Sequence, residues 1–388
     1  MEPWRPQRFE QQGIDDGIDA TIIRNAVATA QQIISVDAAL PPLFTLRHLA
    51  HLTGTEYGFL RAIASRTIED PYTVFSIHKR GRPKRKAEYR IICVPNPVLM
   101  GVQRWIASRI LSRGRPHQAS FAYAEDSRVL RAAELHCECR WLIKLDVRRF
   151  FESISEVGVY QVFRRLGYQP LVAFELTRVC TRLGLSKNRG DVNRWRVSTT
   201  YASIKDYNTR RRIGHLPQGA PSSPMLSNLA MIGFDEEISQ IAKTNGLLYT
   251  RYADDLCLST RDRDLKFTRT RAAGVIGEVY AAMGRIGLSP NIAKTRIAPP
   301  GARKIVLGLA VDGKRPRLLS EFRDRVRQHL YYLTRPDVGP AAHAIARGFT
   351  SVQGLRNHVT GLVAFARQVE PKLGDAYHKQ LARVAWPL

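Results

Sequence analysis

The sequence predicts an α+β fold, and three patterns predict it. Apolar residues recur at three- and four-residue spacing from about 15 to 65 and again beyond 320, as amphipathic helices require. Short β-rich runs stand between them, chiefly Trp141-Leu142-Ile143-Lys144-Leu145 and the stretch from Tyr249 to Leu258. Two further β-rich runs, Tyr72–Ile77 and Ile91–Pro95, flank a basic turn and read as a hairpin. At 388 residues and 44% hydrophobic content the chain can bury a large core and hold two or three domains.

Taken in order, the start MEPWRPQRFEQQG is polar and reads as unstructured or loosely attached. IDATIIRNAVATAQQIISV is helical, and LFTLRHLAHLTGTEYGFLRAIASR reads as two short helices broken at Gly54. These helices would either buttress the rest of the chain or contact a folded RNA. The 72–98 hairpin ends in a cationic tip, HKRGRPKRKAEYR, and a buried helix follows over 98–111. A loop and helix occupy 117–136, then the strand ending at Asp146. Two helices are expected between 157 and 185. The polar, basic stretch to 215 is an insertion in which Trp195, Tyr201 and Tyr207 would stack on bases or anchor the loop. A helix from Ser222 to about Ala242 should turn Phe234 and Ile238 inward and Asp235, Glu236 and Glu237 outward. A helix over about 265–286, a hairpin over 304–313 and three Arg-rich amphipathic helices complete the chain.

The chemistry centres on Tyr252-Ala253-Asp254-Asp255, two adjacent carboxylates inside an apolar run. Successive strand residues face opposite ways, so the pair shares a site only at a turn. At a hairpin tip both would be open to a metal, and hard carboxylate oxygens suit Mg²⁺. Asp146, at a strand end, supplies a third carboxylate. Together the three would form a cradle of the kind that holds two metal ions roughly 3.5–4 Å apart for in-line phosphoryl transfer. Leu216-Pro217-Gln218-Gly219-Ala220-Pro221 is a Pro/Gly loop suited to close backbone approach to a ligand.

Sixty Lys and Arg against 34 Asp and Glu give a formal net charge of +26, which favours a polyanionic partner. Cys93, Cys137, Cys139, Cys180 and Cys257 are odd in number and irregularly spaced, which argues against a disulfide framework. His136-Cys137-Glu138-Cys139 lacks a second ligand pair at zinc spacing. No run is long enough for a membrane span and no signal-peptide pattern stands at the N-terminus, so a cytoplasmic protein is expected.

LDVRRFF, LPQGAPSSPMLSNL and YADD, in this order, resemble the A, B and C motifs of reverse transcriptases. The resemblance covers about 72–388 and is to the bacterial retron branch. Ala132-Ala133-Glu134-Leu135-His136 stands where that branch has Asn-Ala-x-x-His, with Ala132 in place of Asn. Val306-Leu307-Gly308 stands at the primer grip, with Leu307 in place of Thr. The resemblance implies a right-hand polymerase. Residues 1–70 would form a helical extension, 71–317 fingers and palm, and 318–388 a helical thumb.

It also implies roles. Asp146, Asp254 and Asp255 would hold two Mg²⁺. Lys86 and Arg90 would meet the incoming triphosphate, with Lys84 and Arg85 as rivals to Lys86. Phe151 would be the steric gate against a ribose 2′-OH, and Gln218 and Gly219 would approach the nucleotide. Lys294 would contact phosphate or donate a proton. Tyr252, Ala253, Leu307 and Gly308 would lie at primer and template, and His136 would contact RNA or support the palm. The expected partners are a structured non-coding RNA as template and primer, dNTPs, the RNA–DNA product and an effector protein, with no membrane. The expected activity is RNA-directed DNA synthesis primed from an RNA 2′-OH, giving a branched hybrid in anti-phage defence. Other defence-associated or group II intron-like reverse transcriptases, and an RNA-binding scaffold with an idle site, are the alternatives.

Overall fold

The computed structural model describes residues 4–68, 70–78, 89–123, 129–183, 213–261 and 267–387. Lys86, its rivals Lys84 and Arg85, and the insertion's Trp195, Tyr201 and Tyr207 lie outside the described residues.

The polar start is in fact a helix, α1 (Pro6–Asp15). Pro6 pre-sets φ at the first turn, where its missing N–H costs nothing. Trp4 and Phe9 close on Phe44 with ring centroids 5.0 to 5.9 Å apart, which ties the helix down. Helix α2 (Ala20–Val36) is capped by Asp19. The next two, α3 (Leu46–Thr53) and α4 (Tyr57–Ser65), part at Gly54, whose φ of 62° ends α3 as expected.

Strands β1 (Tyr72–His78) and β2 (Tyr89–Pro95) pair antiparallel, from Tyr72 with Pro95 to His78 with Tyr89. Helix α5 (Pro97–Arg109) follows, and its buried Gln103 donates to the Tyr72 hydroxyl at 2.9 Å and to the Val179 carbonyl at 2.7 Å. Next come α6 (Val129–Leu135), β3 (Trp141–Asp146), α7 (Phe150–Ser153), α8 (Glu156–Arg165) and α9 (Pro170–Cys180). The single helix expected from 222 to 242 is two, α10 (Ser223–Ala230) and α11 (Ile232–Thr244). They are divided at Met231, where ψ rises to −1°. Strands β4 (Leu248–Tyr252) and β5 (Asp255–Thr260) form the expected hairpin, followed by α12 (Arg269–Arg285) and β6 (Arg296–Ala298).

The palm sheet runs β4-β5-β3-β6, antiparallel throughout. Its two faces go to different cores. Ile143, Leu145, Leu256 and Leu258 pack with Leu226, Phe234, Ile238 and Val279 of α10–α12. That core continues into the N-terminal helices through Ile33, Leu49 and Leu60, which share it with Phe163 and Leu176. The contact is close. The Tyr168 hydroxyl donates to the Pro41 carbonyl at 3.1 Å, and a Cβ at Gly167 would stand 3.0 Å from the Gln32 carbonyl oxygen.

Leu142 and Cys257, on the other face, join Ala133, Cys137 and Cys139. The same core takes in a small sheet of β7 (Ile305–Val306), β8 (Leu309–Ala310) and β9 (Arg317–Leu318). The expected boundary between 317 and 318 therefore cuts through β9. Four helices follow rather than three: α13 (Ser320–Thr334), α14 (Gly339–Ala346), α15 (Val352–Val369) and α16 (Pro371–Leu381). The additional helix is α14, which Gly339-Pro340 starts, since Pro is favoured in a helix's first turn. Val359-Thr360-Gly361, a second Val-Thr-Gly triad discounted as a grip because its sequence reads as a helix well past that region, lies within α15. No helix among the described residues is long and apolar enough to cross a membrane.

Candidate active site

Ala253 and Asp254 form the two-residue turn between β4 and β5, closed by the pair Tyr252–Asp255. Asp146, last in β3, is the direct cross-strand partner of Asp255. Cross-strand partners project from the same face, so these two carboxylates stand side by side with Asp254 at the turn next to them. The Val147 amide donates to the Asp254 carbonyl at 2.9 Å and fixes the turn against the end of β3.

Burial raises the Asp254 carboxyl above its usual range, and the Asp146 charge adds to it. Burial pushes Asp255 up to about 6, with the Asp254 charge next in effect. Both oxygens of Asp146 are engaged. Asn291 Nδ2 donates to Oδ1 at 2.8 Å, and Lys294 Nζ meets Oδ2 at 2.5 Å. Burial works to lower the Lys294 pKa, but its bond to Asp146 and the three acidic charges hold it above the usual lysine value. Among the described residues no three His, Cys, Asp or Glu side chains make a closed ligand set. At Asp146 each carboxylate oxygen accepts one hydrogen bond, from Asn291 and from Lys294. The donor set still fits a hard divalent cation, with three carboxylates gathered at one place, two of them raised chiefly by burial and then by their neighbours' charge, and Lys294 as the cation in contact with Asp146.

Arg90 is exposed on β2, and its charge is among those that favour ionised Asp254. Cys93 N–H donates to the Gln218 carbonyl at 2.7 Å, pinning the Pro/Gly loop to the hairpin. Gly219 has φ of 117°, and a Cβ there would lie 3.0 Å from the Cys93 carbonyl oxygen. Only glycine fits that approach. Phe151 is half-buried, its ring 5.6 Å from Phe150 and 6.2 Å from Tyr123. Leu307 and Gly308, at φ of 49° and 81°, make the β7–β8 turn. Tyr252 and Leu307 are half-buried and Gly308 exposed. Ala253, expected to face the primer terminus, is instead 5% exposed, because its φ of 54° folds the methyl into the core.

Two further expectations are overturned by burial. His136 has no exposed surface, so it is no RNA contact. It lies against the palm sheet, with Nδ1 2.7 Å from Ser259 Oγ and Nε2 2.7 Å from Thr250 Oγ1. Burial, followed by the Arg261 charge, lowers its pKa to about 4, so it is neutral. Asp235 does not face outward with Glu236. It is fully buried and receives Arg251 Nε and Nη2 at 2.7 Å each and the Tyr249 hydroxyl at 2.8 Å.

Arg251, Asn228, Ser120 and Asn291 were not anticipated. Arg251 had a signal: period-two alternation puts it on the same side as buried Tyr249, so its charge had to find a partner. Asp235 had a weaker one, three residues before inward Ile238. Asn291 and Ser120 had none.

The matched region of the family model for reverse transcriptase (RNA-dependent DNA polymerase) is residues 77–311, more than half the chain. The chain belongs to the reverse transcriptase family. It is 26% identical over 333 residues to the Retron Ec86 reverse transcriptase of Escherichia coli, covering 86% of this chain and 87% of that one. It is 28% identical over 317 residues to the Retron Ec83 reverse transcriptase of the same species, covering 80% and 88%. The Retron Mx162 reverse transcriptase of Myxococcus xanthus is 28% identical over 316 residues, or 78% of this chain and 59% of that longer one. The fold is thus the α+β polymerase fold, and the chain is an RNA-directed DNA polymerase of the retron type. Its family generally uses divalent metal ions.

Proposed function

We propose that this enzyme copies part of a cognate structured non-coding RNA into DNA, starting from a 2′-hydroxyl of that RNA and leaving a branched RNA–DNA hybrid. We further propose that it acts in anti-phage defence beside an effector protein, in the cytoplasm. One observation carries the chemistry: Asp146 and Asp255 are paired across the sheet with Asp254 at the adjoining turn.

Asp146, Asp254 and Asp255 would hold two Mg²⁺. Bound there, the ions would supply Lewis-acid stabilisation to the attacking and leaving oxygens. The protein's own residues do the rest. Arg90, with Lys86, receives the triphosphate, since an Arg fork matches phosphate oxygens and Lys adds a point charge. Gln218 and Gly219 bring backbone close to the nucleotide. The Phe151 ring fills the space a 2′-OH would take. Lys294, held ionised, is placed to contact phosphate or give its Nζ proton to the departing pyrophosphate. Tyr252, Leu307 and Gly308 support the primer end, and His136 supports the sheet from behind.

The test is to isolate the protein with its RNA from the native locus and supply labelled dNTPs without primer. The expected product shrinks on RNase treatment, keeps a few ribonucleotides and is cut by a 2′,5′-debranching enzyme. DNA joined to a protein tyrosine, or extension only of an annealed 3′-OH primer, would exclude 2′-priming. Either result would move the enzyme to the other defence-associated or intron-like groups.

A further inference from the structure

We propose that Arg251 is a positioning residue whose buried guanidinium sets the Ala253–Asp254 turn against the wall that receives the incoming sugar. The proposal rests on the reading of Asp254 as a metal-holding carboxylate.

A guanidinium has five N–H donors in a fixed plane, and here each has an acceptor. Nε and Nη2 bind the two oxygens of Asp235 at 2.7 Å. Nη1 reaches Asn228 Oδ1 and the Ala253 carbonyl, both at 3.2 Å, and Nη2 also reaches Ser120 Oγ at 3.2 Å. The pair with Asp235 balances the charge. The other three bonds join parts of the site that the chain keeps far apart.

The Ala253 carbonyl belongs to the peptide that leads into Asp254, in a residue whose φ of 54° is unfavourable for a side chain. Asn228 sits on α10, the helix entered from the Gln218–Gly219 loop. Its Nδ2 donates to the Ala122 carbonyl at 2.5 Å, and Ser120 Oγ donates to its Oδ1 at 2.9 Å. Ala122 precedes Tyr123, whose ring meets Phe151. The guanidinium also lies over the Phe150 ring, 5.9 Å from its centroid. One side chain therefore touches the catalytic turn, the helix behind the nucleotide loop and Phe150, and reaches Tyr123 indirectly through Asn228 and Ala122. Stability alone does not account for it, because a buried ion pair is often matched or bettered by apolar residues of similar size.

Arg251→Lys keeps the charge opposite Asp235, but one ammonium cannot reach all five acceptors. The expected result is a folded protein with kcat lowered about 100-fold, the scale of an ångström-sized misplacement. Its Mg²⁺ midpoint should rise, and its ribonucleotide-to-deoxynucleotide kcat/KM ratio should move toward one. Asp235→Leu with Arg251→Met replaces the pair by apolar residues, provides a folded protein if the first variant does not, and should show the same three changes. Wild-type kcat, Mg²⁺ midpoint and sugar ratio in either folded variant overturn the proposal. Asp254→Asn, assayed alongside, separates the two readings. If it still extends, the catalytic assignment itself falls; if it is inactive while the Arg251 variants behave as wild type, only the positioning role falls.

Discussion

Lys294 holds Asp146 in the grip that a metal ion would need to take over. The Nζ stands 2.5 Å from Oδ2, and the lysine side chain is 45% exposed against 5% for the aspartate. A cation entering the cradle must displace an ammonium already there. Lys294→Met should therefore tighten Mn²⁺ binding to nucleotide-free protein by about 3- to 10-fold, because a half-exposed ion pair is worth about 1 kcal/mol. The same change should lower kcat by about 100-fold if Lys294 gives up its proton in the reaction. Unchanged or weaker Mn²⁺ affinity would show that the lysine does not compete for the site.

Phe151→Val opens the space beside the sugar. The discrimination ratio, read as kcat/KM for a dNTP over the matching rNTP, should fall by about 10- to 100-fold, the range set by one apolar contact in a pocket. An unaltered ratio would make Phe151 a packing residue for Phe150 and Tyr123 and put the gate elsewhere.

His136 predicts a pH dependence of folding. Its folded pKa of about 4 lies below the ordinary histidine value of 6.5. The unfolded chain therefore binds more protons between those two values. The stability that neutral His136 confers is complete above about pH 6.5 and is lost as pH falls toward 4. The full loss is about 3 kcal/mol on the scale of 1.36 kcal/mol per pKa unit. Melting temperature should drop over that window in the wild type and less steeply in His136→Gln, whose RNA affinity should stay unchanged. His215 and His329, lowered to about 3 and about 4 mainly by burial, leave a residual slope in the variant. Parallel slopes in the two proteins would mean that His136 is free to protonate in the fold.

RNA binding should weaken steeply with salt, given the net charge of +26. The slope of log K against log salt should be about −0.7 to −0.9 for each phosphate neutralised. A flat response would leave the charge without an RNA-binding role.

What was legible in the sequence was local. The turn at Ala253–Asp254 shows in the clash between two adjacent acids and a strand-forming run, and Asp146 shows as an acid where β3 stops. Gly54 and the spacing of Ile23, Val27 and Ile33 gave away the first helices. What stayed hidden depended on partners distant in the chain. Asp235 looks like its acidic neighbours until Arg251 reaches it from β4. His136 looks like a surface histidine until Thr250 and Ser259 enclose it. Helix α1 was missed because what holds it, Phe44 against Trp4 and Phe9, lies beyond its own window. Asn291 offers no pattern at all, since its importance is that its amide meets one oxygen of Asp146.

The close seat of the N-terminal helices, with Gly167 against Gln32 and Tyr168 bonded to Pro41, bears on heredity as much as on packing. The extension and the palm share one core, so a change on either side of the seam is constrained by the other. A chimera taking its first 70 residues from a relative would lack the matching surface for Tyr168 and Gly167, and would fail at that seam before any question of which RNA it reads arose. Substitutions on the inner side of α2 should therefore be accompanied by compensating changes in the connection between α8 and α9 across any lineage of this enzyme.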